Sequence, residues 1–514
     1  MKKILGIELG STRIKSVLID ENASVIAQGS HEWENRLTDG LWSYSLEEVE
    51  KGLQSSYAAL SRDYEAKSGE PLTEVSAIGI SAMMHGYLAF DKNDKLLVPF
   101  RTWRNTNTEK AADELTELFR FNVPMRWSVS HYYQAVLNGE EHVGRVSFLT
   151  TLAGYVHYKL TGKKVLGVGD ASGMFPIDKG SYNKTMLEKF DAVLSERGIS
   201  TSFEKLLPAV LTAGENAGLL TAEGAKWLDL SGNLAAGCPL CPPEGDAGTG
   251  MVATNSVKPK TANVSAGTSA FLMAVLEKNL ASYYKEIDVV TTPHGAPVAM
   301  VHANNFTSEM NAWAHLFEEV IALGGGKISR SNLFDALYRK SLEADESCGG
   351  LVGYNFLSGE PIAGVSRGIP MIARMPDGKL NLANFMKMHI YSSLGSLAMG
   401  CGILAKEKVE IDSVYGHGGF FKAPIVGQSA MSAAVGVPVT VMSNAGEGGA
   451  WGIAVLALFS YIGEQSLENF LENVFKNAEK TTLSASEAEI NSFNAFMIKY
   501  KKTLSVERLA SEVL

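Results

Sequence analysis

The chain opens on an apolar run, from Ile4 to Leu9, that breaks at Gly10-Ser11-Thr12 and resumes through Asp20. Short apolar runs bounded by turn residues read as strands, so a hairpin is expected, with a third strand over residues 23–29 after the turn Asp20-Glu21-Asn22. A helix is expected over residues 45–67, with Ser45 as its cap and Glu47 and Glu48 in the first turn. Residues 75–81 and 87–90 read as strands, the latter ended by Asp91-Lys92-Asn93-Asp94. Helices follow over residues 107–119 and 146–160, the second stopping at Thr161-Gly162. Alternating strands and helices place this half in the α/β class.

The opening pattern returns half a chain later. Residues 263–273, Asn-Val-Ser-Ala-Gly-Thr-Ser-Ala-Phe-Leu-Met, again set a Gly-Thr-Ser turn between apolar runs. Helices are expected over residues 308–323 and 382–407, strands over 414–417 and 437–442, and a small-residue helix beginning near Asn444. From Gln465 onward a solvated helical tail is expected. Two copies of one hairpin pattern suggest two similar domains, and a length of 514 residues agrees, because one core rarely organises so long a chain. The division is expected at residues 1–248 and 249–514.

With 46% apolar and 20% charged residues the composition is that of an ordinary globular protein, and a formal net charge of -10 argues against nucleic acid and anionic membrane as partners. Cys238, Cys241, Cys348 and Cys401 are too few and scattered for a disulfide framework, and no second Cys or His pair follows Cys238-Pro-Leu-Cys241 at zinc spacing. Glu8 interrupts the apolar opening, so it is not read as a signal peptide. The apolar run over residues 448–463 falls short of the roughly 20 residues that a bilayer span needs. A cytoplasmic protein is expected.

The candidate chemistry centres on Pro-Pro-Glu-Gly-Asp-Ala-Gly-Thr-Gly, residues 242–250. Asp246 alone in a Gly-rich loop reads as a turn or a helix cap. Beside it, however, turns of Gly, Ser and Thr between strands can aim N–H groups and hydroxyls at a phosphate. An acid next to a polyphosphate is placed to take a proton from an incoming hydroxyl. His85, in Met83-Met84-His85-Gly86, reads either as a core histidine or as a ligand group at a strand end. Gly167-Val168-Gly169-Asp170-Ala171-Ser172-Gly173 is a second acidic, Gly-rich loop or a plain turn. Gly324-Gly325-Gly326-Lys327 lacks the spacing of a phosphate loop and reads as a helix C-cap.

In their order these motifs resemble the FGGY family of carbohydrate kinases, within the actin and sugar-kinase superfamily, over roughly residues 4–458. The resemblance implies two actin-like (ribonuclease H-like) α/β domains with the active site in the cleft between them. It implies ATP and Mg²⁺, a small-molecule sugar as partner, and allows a homodimer. Gly10, Ser11 and Thr12 look like the first phosphate motif, Gly267, Thr268 and Ser269 like the second, and Gly418, Gly419 and Glu447 like the adenosine motif. Asp246 looks like the catalytic base and, with Glu8, a metal position. Met84, His85, Trp127 and Asp170 resemble the sugar-binding surroundings of xylulokinases, making a ketopentose the leading substrate.

The chain departs from the family pattern at several points. Glu8 stands where the family has Asp, and Ala247 where Asn or Gln commonly contacts the sugar. Trp103-Arg104-Asn105 lacks the acid and the arginine expected in register, and Phe420-Phe421-Lys422 follows Gly418-Gly419 in place of Asn-Pro. These changes bear on the sugar more than on phosphoryl transfer. A kinase for another ketose or polyol, a catalytically silent sugar sensor and a sugar-independent ATPase are the alternatives.

Overall fold

The structure is a computed structural model that describes residues 1–442, 448–464 and 466–514. Two compact units emerge. The first comprises Met1–Lys258, Ser282–Val298 and Glu447–Asn477, and the second Pro259–Ala281, Ala299–Gly446 and Ala478–Leu514.

The first unit is built on a mixed sheet. Ile4–Leu9 pairs antiparallel with Arg13–Ile19, which pairs antiparallel with Val25–Glu32. On its other side Ile4–Leu9 pairs in parallel with Ala77–Ala82, and that strand pairs in parallel with Glu244–Gly245. Helix Leu46–Ser68 starts where the sequence places its cap: Ser45 and Glu48 bond each other's backbone N–H in a reciprocal capping box, and Gly69 ends the helix in the left-handed region, φ 78°. Its Val49, Leu53, Tyr57 and Leu60 enter a core shared with Leu5, Ile7 and Ile80. Each such side chain contributes about 1.5–3 kcal/mol by leaving water.

Helix Gly448–Ile462 is apolar on all sides and buried from Gly449 to Phe459. Its backbone lies directly against the first strand, where a Cβ on Gly6 would sit 2.1 Å from the Ala450 carbonyl oxygen. It also meets helix Asp246–Ala253, where a Cβ on Gly452 would sit 2.2 Å from the Thr249 carbonyl oxygen. Gly6→Ala is therefore expected to cost about 1–3 kcal/mol or more by overpacking. A lower urea midpoint at unchanged slope is the check, and an unchanged midpoint would show that strand and helix have room to spare.

The second unit repeats the scheme. Thr261–Ala266 and Ala270–Val275 form an antiparallel hairpin, Ser413–His417 lies parallel beside the first of these, and Val439–Met442 lies parallel beside Ser413–His417. Pro297–Ala303 neighbours the hairpin's second strand. Helix Leu382–Lys406 is, among the described residues, the one long and apolar enough to cross a bilayer, yet 67% of its most apolar window is buried inside the protein. It behaves as a core helix.

Several expectations change. Residues 146–160 are not one helix: Phe148–Thr150 is a strand, and the helix begins at Leu152, where the Thr151 hydroxyl accepts the Gly154 N–H. Phe-Leu-Thr-Thr has the β-branched and aromatic character that favours a strand, and a Thr cap restarts the chain as helix. An unforeseen helix spans Ser128–Leu137. The Asp246 segment is not a loop but a short strand leading into helix Asp246–Ala253, and the Asp170 segment forms strand Val165–Gly167 and a helical turn, Val168–Ala171. The tail is not merely solvated, since Lys480–Leu483 adds an antiparallel strand to the sheet and helix Glu487–Val513 buries Phe493, Phe496, Met497, Tyr500 and Leu504.

Candidate active site

Asp246 is the first residue of its helix, delivered there by the strand Glu244–Gly245. Its Oδ1 accepts the N–H of Ala247 at 3.0 Å and of Met84 at 3.2 Å. The residue stays open to solvent, while the surrounding protein raises its pKa by desolvation against the pull of those N–H groups. A raised pKa makes the carboxylate a stronger base. Where an amide side chain could have reached a substrate, Ala247 contributes only its backbone.

The Met84 contact joins this acid to the turn Met84-His85-Gly86. His85 adopts φ 69° and Gly86 φ 86°, a left-handed pair that is uncommon for a non-glycine residue and persists only where the surroundings enforce it. Here Ser128 donates its hydroxyl to the Gly86 carbonyl at 2.6 Å, and the Gly86 N–H donates to the Arg126 carbonyl at 3.1 Å. Both clamps come from the segment carrying Trp127, whose ring lies near-parallel to that of His85 with centroids 6.4 Å apart.

His85 is buried, and desolvation followed by the nearby Arg126 charge pushes its pKa well below 6.5. The ring is therefore neutral. Its Nδ1 lies 3.3 Å from the Gly173 carbonyl oxygen; a carbonyl can only accept, so Nδ1 carries the proton and Nε2 is left as an acceptor.

Asp170 and Trp127 are both fully buried. Asp170 Oδ2 accepts the Thr151 hydroxyl at 2.6 Å, whereas Oδ1 and the Trp127 indole N–H have no partner. Desolvation, opposed by the Thr151 bond and aided by the Asp246 charge, pushes the Asp170 pKa to about 7. A buried acceptor left unpaired is costly, so an orphaned oxygen here points to a ligand group or water that completes it. A Cβ on Gly245 would touch both the Met84 side chain and, at 3.3 Å, Asp170 Oδ1, and a Cβ on Gly173 would lie 2.5 Å from His85 Nδ1. Met84, His85, Asp170 and Asp246 thus converge.

Glu8 lies one residue before the end of the first strand, half-buried, paired in register with Lys15 across the hairpin and with Ser81 on the parallel side. Desolvation and the Asp246 charge raise its pKa, against Lys15 and the Ala450 N–H. Among the described residues no three His, Cys, Asp or Glu side chains form a ready metal cage. Two carboxylates close enough to repel each other nonetheless fit Mg²⁺, which keeps several waters and binds through one or two carboxylates plus substrate phosphates.

The Gly10-Ser11-Thr12 turn directs its carbonyls inward: Gly10 accepts the Trp33 indole N–H at 2.7 Å, Ser11 the Tyr44 hydroxyl at 2.5 Å and Thr12 the Trp33 backbone N–H at 3.2 Å. In the second unit the Thr307 hydroxyl donates to the Gly267 carbonyl at 2.6 Å and the Phe306 N–H to that of Thr268 at 3.0 Å, fixing the turn that ends in Ser269. Gly418 adopts φ 106°, and a Cβ there would lie 2.3 Å from the Ala266 carbonyl oxygen, while one on Gly419 would meet open space. The second phosphate motif and the Gly-Gly pair therefore adjoin. Glu447 lies outside the described residues.

Two side chains beside these groups escape a linear reading. Lys15 becomes visible only from the hairpin register that sets it opposite Glu8. Glu244, fully buried two residues before Asp246, accepts the N–H groups of Gly169 and Asp170; its signal in the sequence is an acid in an otherwise small and apolar stretch.

Comparison with known proteins agrees along the whole chain. The N-terminal domain of the FGGY family of carbohydrate kinases matches residues 3–238, and the C-terminal domain matches residues 262–461. A xylulose kinase of Haemophilus influenzae is 22% identical over 98% of this chain and 99% of its own. Among solved structures, a ligand-bound xylulose kinase of Lactobacillus acidophilus superposes with a TM-score of 0.81 at 15% identity, covering 98% of each chain. A gluconate kinase of the same organism superposes with a TM-score of 0.81 at 16% identity, covering 99% of each chain. These likenesses carry the two-domain, actin-like α/β fold of sugar kinases. The chain belongs to the FGGY family of carbohydrate kinases and is a phosphotransferase.

Proposed function

We propose that the protein transfers the γ-phosphoryl group of ATP to a terminal hydroxyl of a ketopentose such as xylulose, with Asp246 as the base. The observation that carries this reading is the hydrogen bond from the Met84 N–H to Asp246 Oδ1, which ties the base to the Met-His-Gly turn. His85 Nε2 accepts a sugar hydroxyl, Asp170 Oδ1 accepts another, and Met84 and Trp127 supply apolar surface. Asp246, held as a carboxylate by the Met84 and Ala247 N–H groups and open to an incoming substrate, takes the proton of the attacking hydroxyl. That step contributes typically ~10²–10⁴ in rate.

ATP, the co-substrate of FGGY kinases, is held by backbone N–H groups and hydroxyls of Gly10, Ser11 and Thr12 in the first unit. The second unit carries the second phosphate motif, Gly267, Thr268 and Ser269, and Gly418-Gly419 for the adenosine. Lys15 adds a positive charge beside Glu8. Mg²⁺ held by Glu8 and Asp246 would neutralise phosphate charge. In this assignment the first unit carries the sugar and the base, the second the adenosine.

Coupled ADP release over D-xylulose, D-ribulose, fructose, glycerol and gluconate tests the substrate. D-Xylulose is expected to give the highest kcat/KM. A preference for gluconate would overturn the ketopentose assignment while leaving the kinase assignment intact. That second reading has its own support: the gluconate kinase superposes as closely as the xylulose kinase, and Arg126, ion-paired with Asp288, stands beside the Met-His-Gly turn, where its carbonyl accepts the Gly86 N–H.

A further inference from the structure

Asp170 stands on a single helical turn, Val168–Ala171, too short to be stable by itself. The turn is held from two sides. On one, the Thr291 hydroxyl donates to the Val168 carbonyl at 3.0 Å and the Thr291 N–H to the Ser172 hydroxyl at 3.1 Å. On the other, Glu244 accepts the Gly169 N–H on Oε1 at 3.2 Å and the Asp170 N–H on Oε2 at 3.0 Å.

The neighbouring glycines leave room for this carboxylate and for little else. A Cβ on Gly167 would lie 2.2 Å from Glu244 Oε1, and a Cβ on Gly169 would lie 2.4 Å from Oε2. Burying an acid is expensive, and a short turn can be capped by Ser or Thr at lower cost. Glu244 differs from such a cap in what stands behind it: its strand pairs with Ser81 and Ala82 and runs directly into Asp246.

We propose that Glu244 is a positioning residue of the sugar site, in which one carboxylate on the strand that delivers Asp246 grips the turn that delivers Asp170. It thereby fixes the spacing between base and sugar-binding acid. The proposal rests on the reading of Asp170 as a sugar ligand.

The test compares Glu244→Gln, Gly169→Ala and Asp170→Asn with wild type, measuring KM for D-xylulose (or the best acceptor of the panel above), KM for ATP and Tm. An amide at position 244 keeps one acceptor and turns an N–H donor toward the other backbone N–H. Sugar KM is expected to rise about tenfold in Glu244→Gln, since a buried donor is left unpaired, with the ATP KM unchanged. Gly169→Ala, which displaces the carboxylate from the opposite side, is expected to raise sugar KM in the same way and keeps the test decisive if Glu244→Gln does not fold. A lower Tm with unchanged sugar KM in a folded variant would make Glu244 a stability residue and overturn the proposal. If Asp170→Asn raises sugar KM and the other two do not, the proposal alone fails. If Asp170→Asn leaves it unchanged, Asp170 is no sugar ligand and both readings fall.

Discussion

Asp246→Asn is expected to abolish sugar phosphorylation while leaving ATP affinity within a few-fold. The amide oxygen can still accept the Met84 and Ala247 N–H groups that fix the carboxylate, so the helix start and the Met-His-Gly turn keep their geometry. What is lost is basicity. With general-base assistance worth typically ~10²–10⁴, turnover should fall by at least that range, because an amide cannot hold the proton at all. A variant that keeps a tenth of wild-type turnover would remove Asp246 from the role of base.

The second large effect concerns Glu8. Its carboxyl sits between Lys15 in the hairpin and the start of helix Gly448–Ile462, where a Cβ on Gly449 would lie 2.4 Å from Oε1. Glu8→Gln keeps that shape and removes the charge. It is expected to lower kcat and to raise the Mg²⁺ concentration needed for half-maximal rate, by about 10–100-fold, the scale of losing a group that orients a metal. Sugar KM should not move if Glu8 serves the phosphate side, as proposed. Glu8→Asp should retain substantial activity, as a hydrated ion tolerates a shift of one methylene. Unchanged kcat and Mg²⁺ dependence in Glu8→Gln would leave Glu8 without a metal role.

Much of this arrangement could be read from the chain because its signals are local. The Gly10-Ser11-Thr12 hairpin, the Ser45 and Glu48 capping box and the helix Ser308–Leu323 each depend on neighbours a few residues away. The helix Ser128–Leu137 gave no such signal: seven of its residues, Ser128 to Tyr133 and Ala135, are buried on all sides, so no amphipathic stripe marks it. Its existence follows from tertiary packing. The gathering of Met84, His85, Asp170 and Asp246 was suggested by motif order, but the bond that joins Met84 to Asp246 spans 162 residues and is invisible to any local pattern.

Glycine positions show the same division. Gly86 and Gly418 follow from backbone conformation, φ 86° and φ 106°, which a Gly-containing turn already hints at. Gly6, Gly167, Gly169 and Gly452 instead make room for groups distant in sequence, the Ala450 carbonyl, the Glu244 carboxylate and the Thr249 carbonyl. Only the folded chain assigns their purpose, and Glu244 was hidden for the same reason.

Phosphorus NMR of the products formed from ATP, Mg²⁺ and D-xylulose, by wild type and by Asp246→Asn in parallel, tests the central assignment most directly. Wild type should yield a sugar phosphate monoester in step with ADP, and Asp246→Asn should yield neither. Release of inorganic phosphate with no sugar monoester, or the same monoester from both proteins, would contradict it.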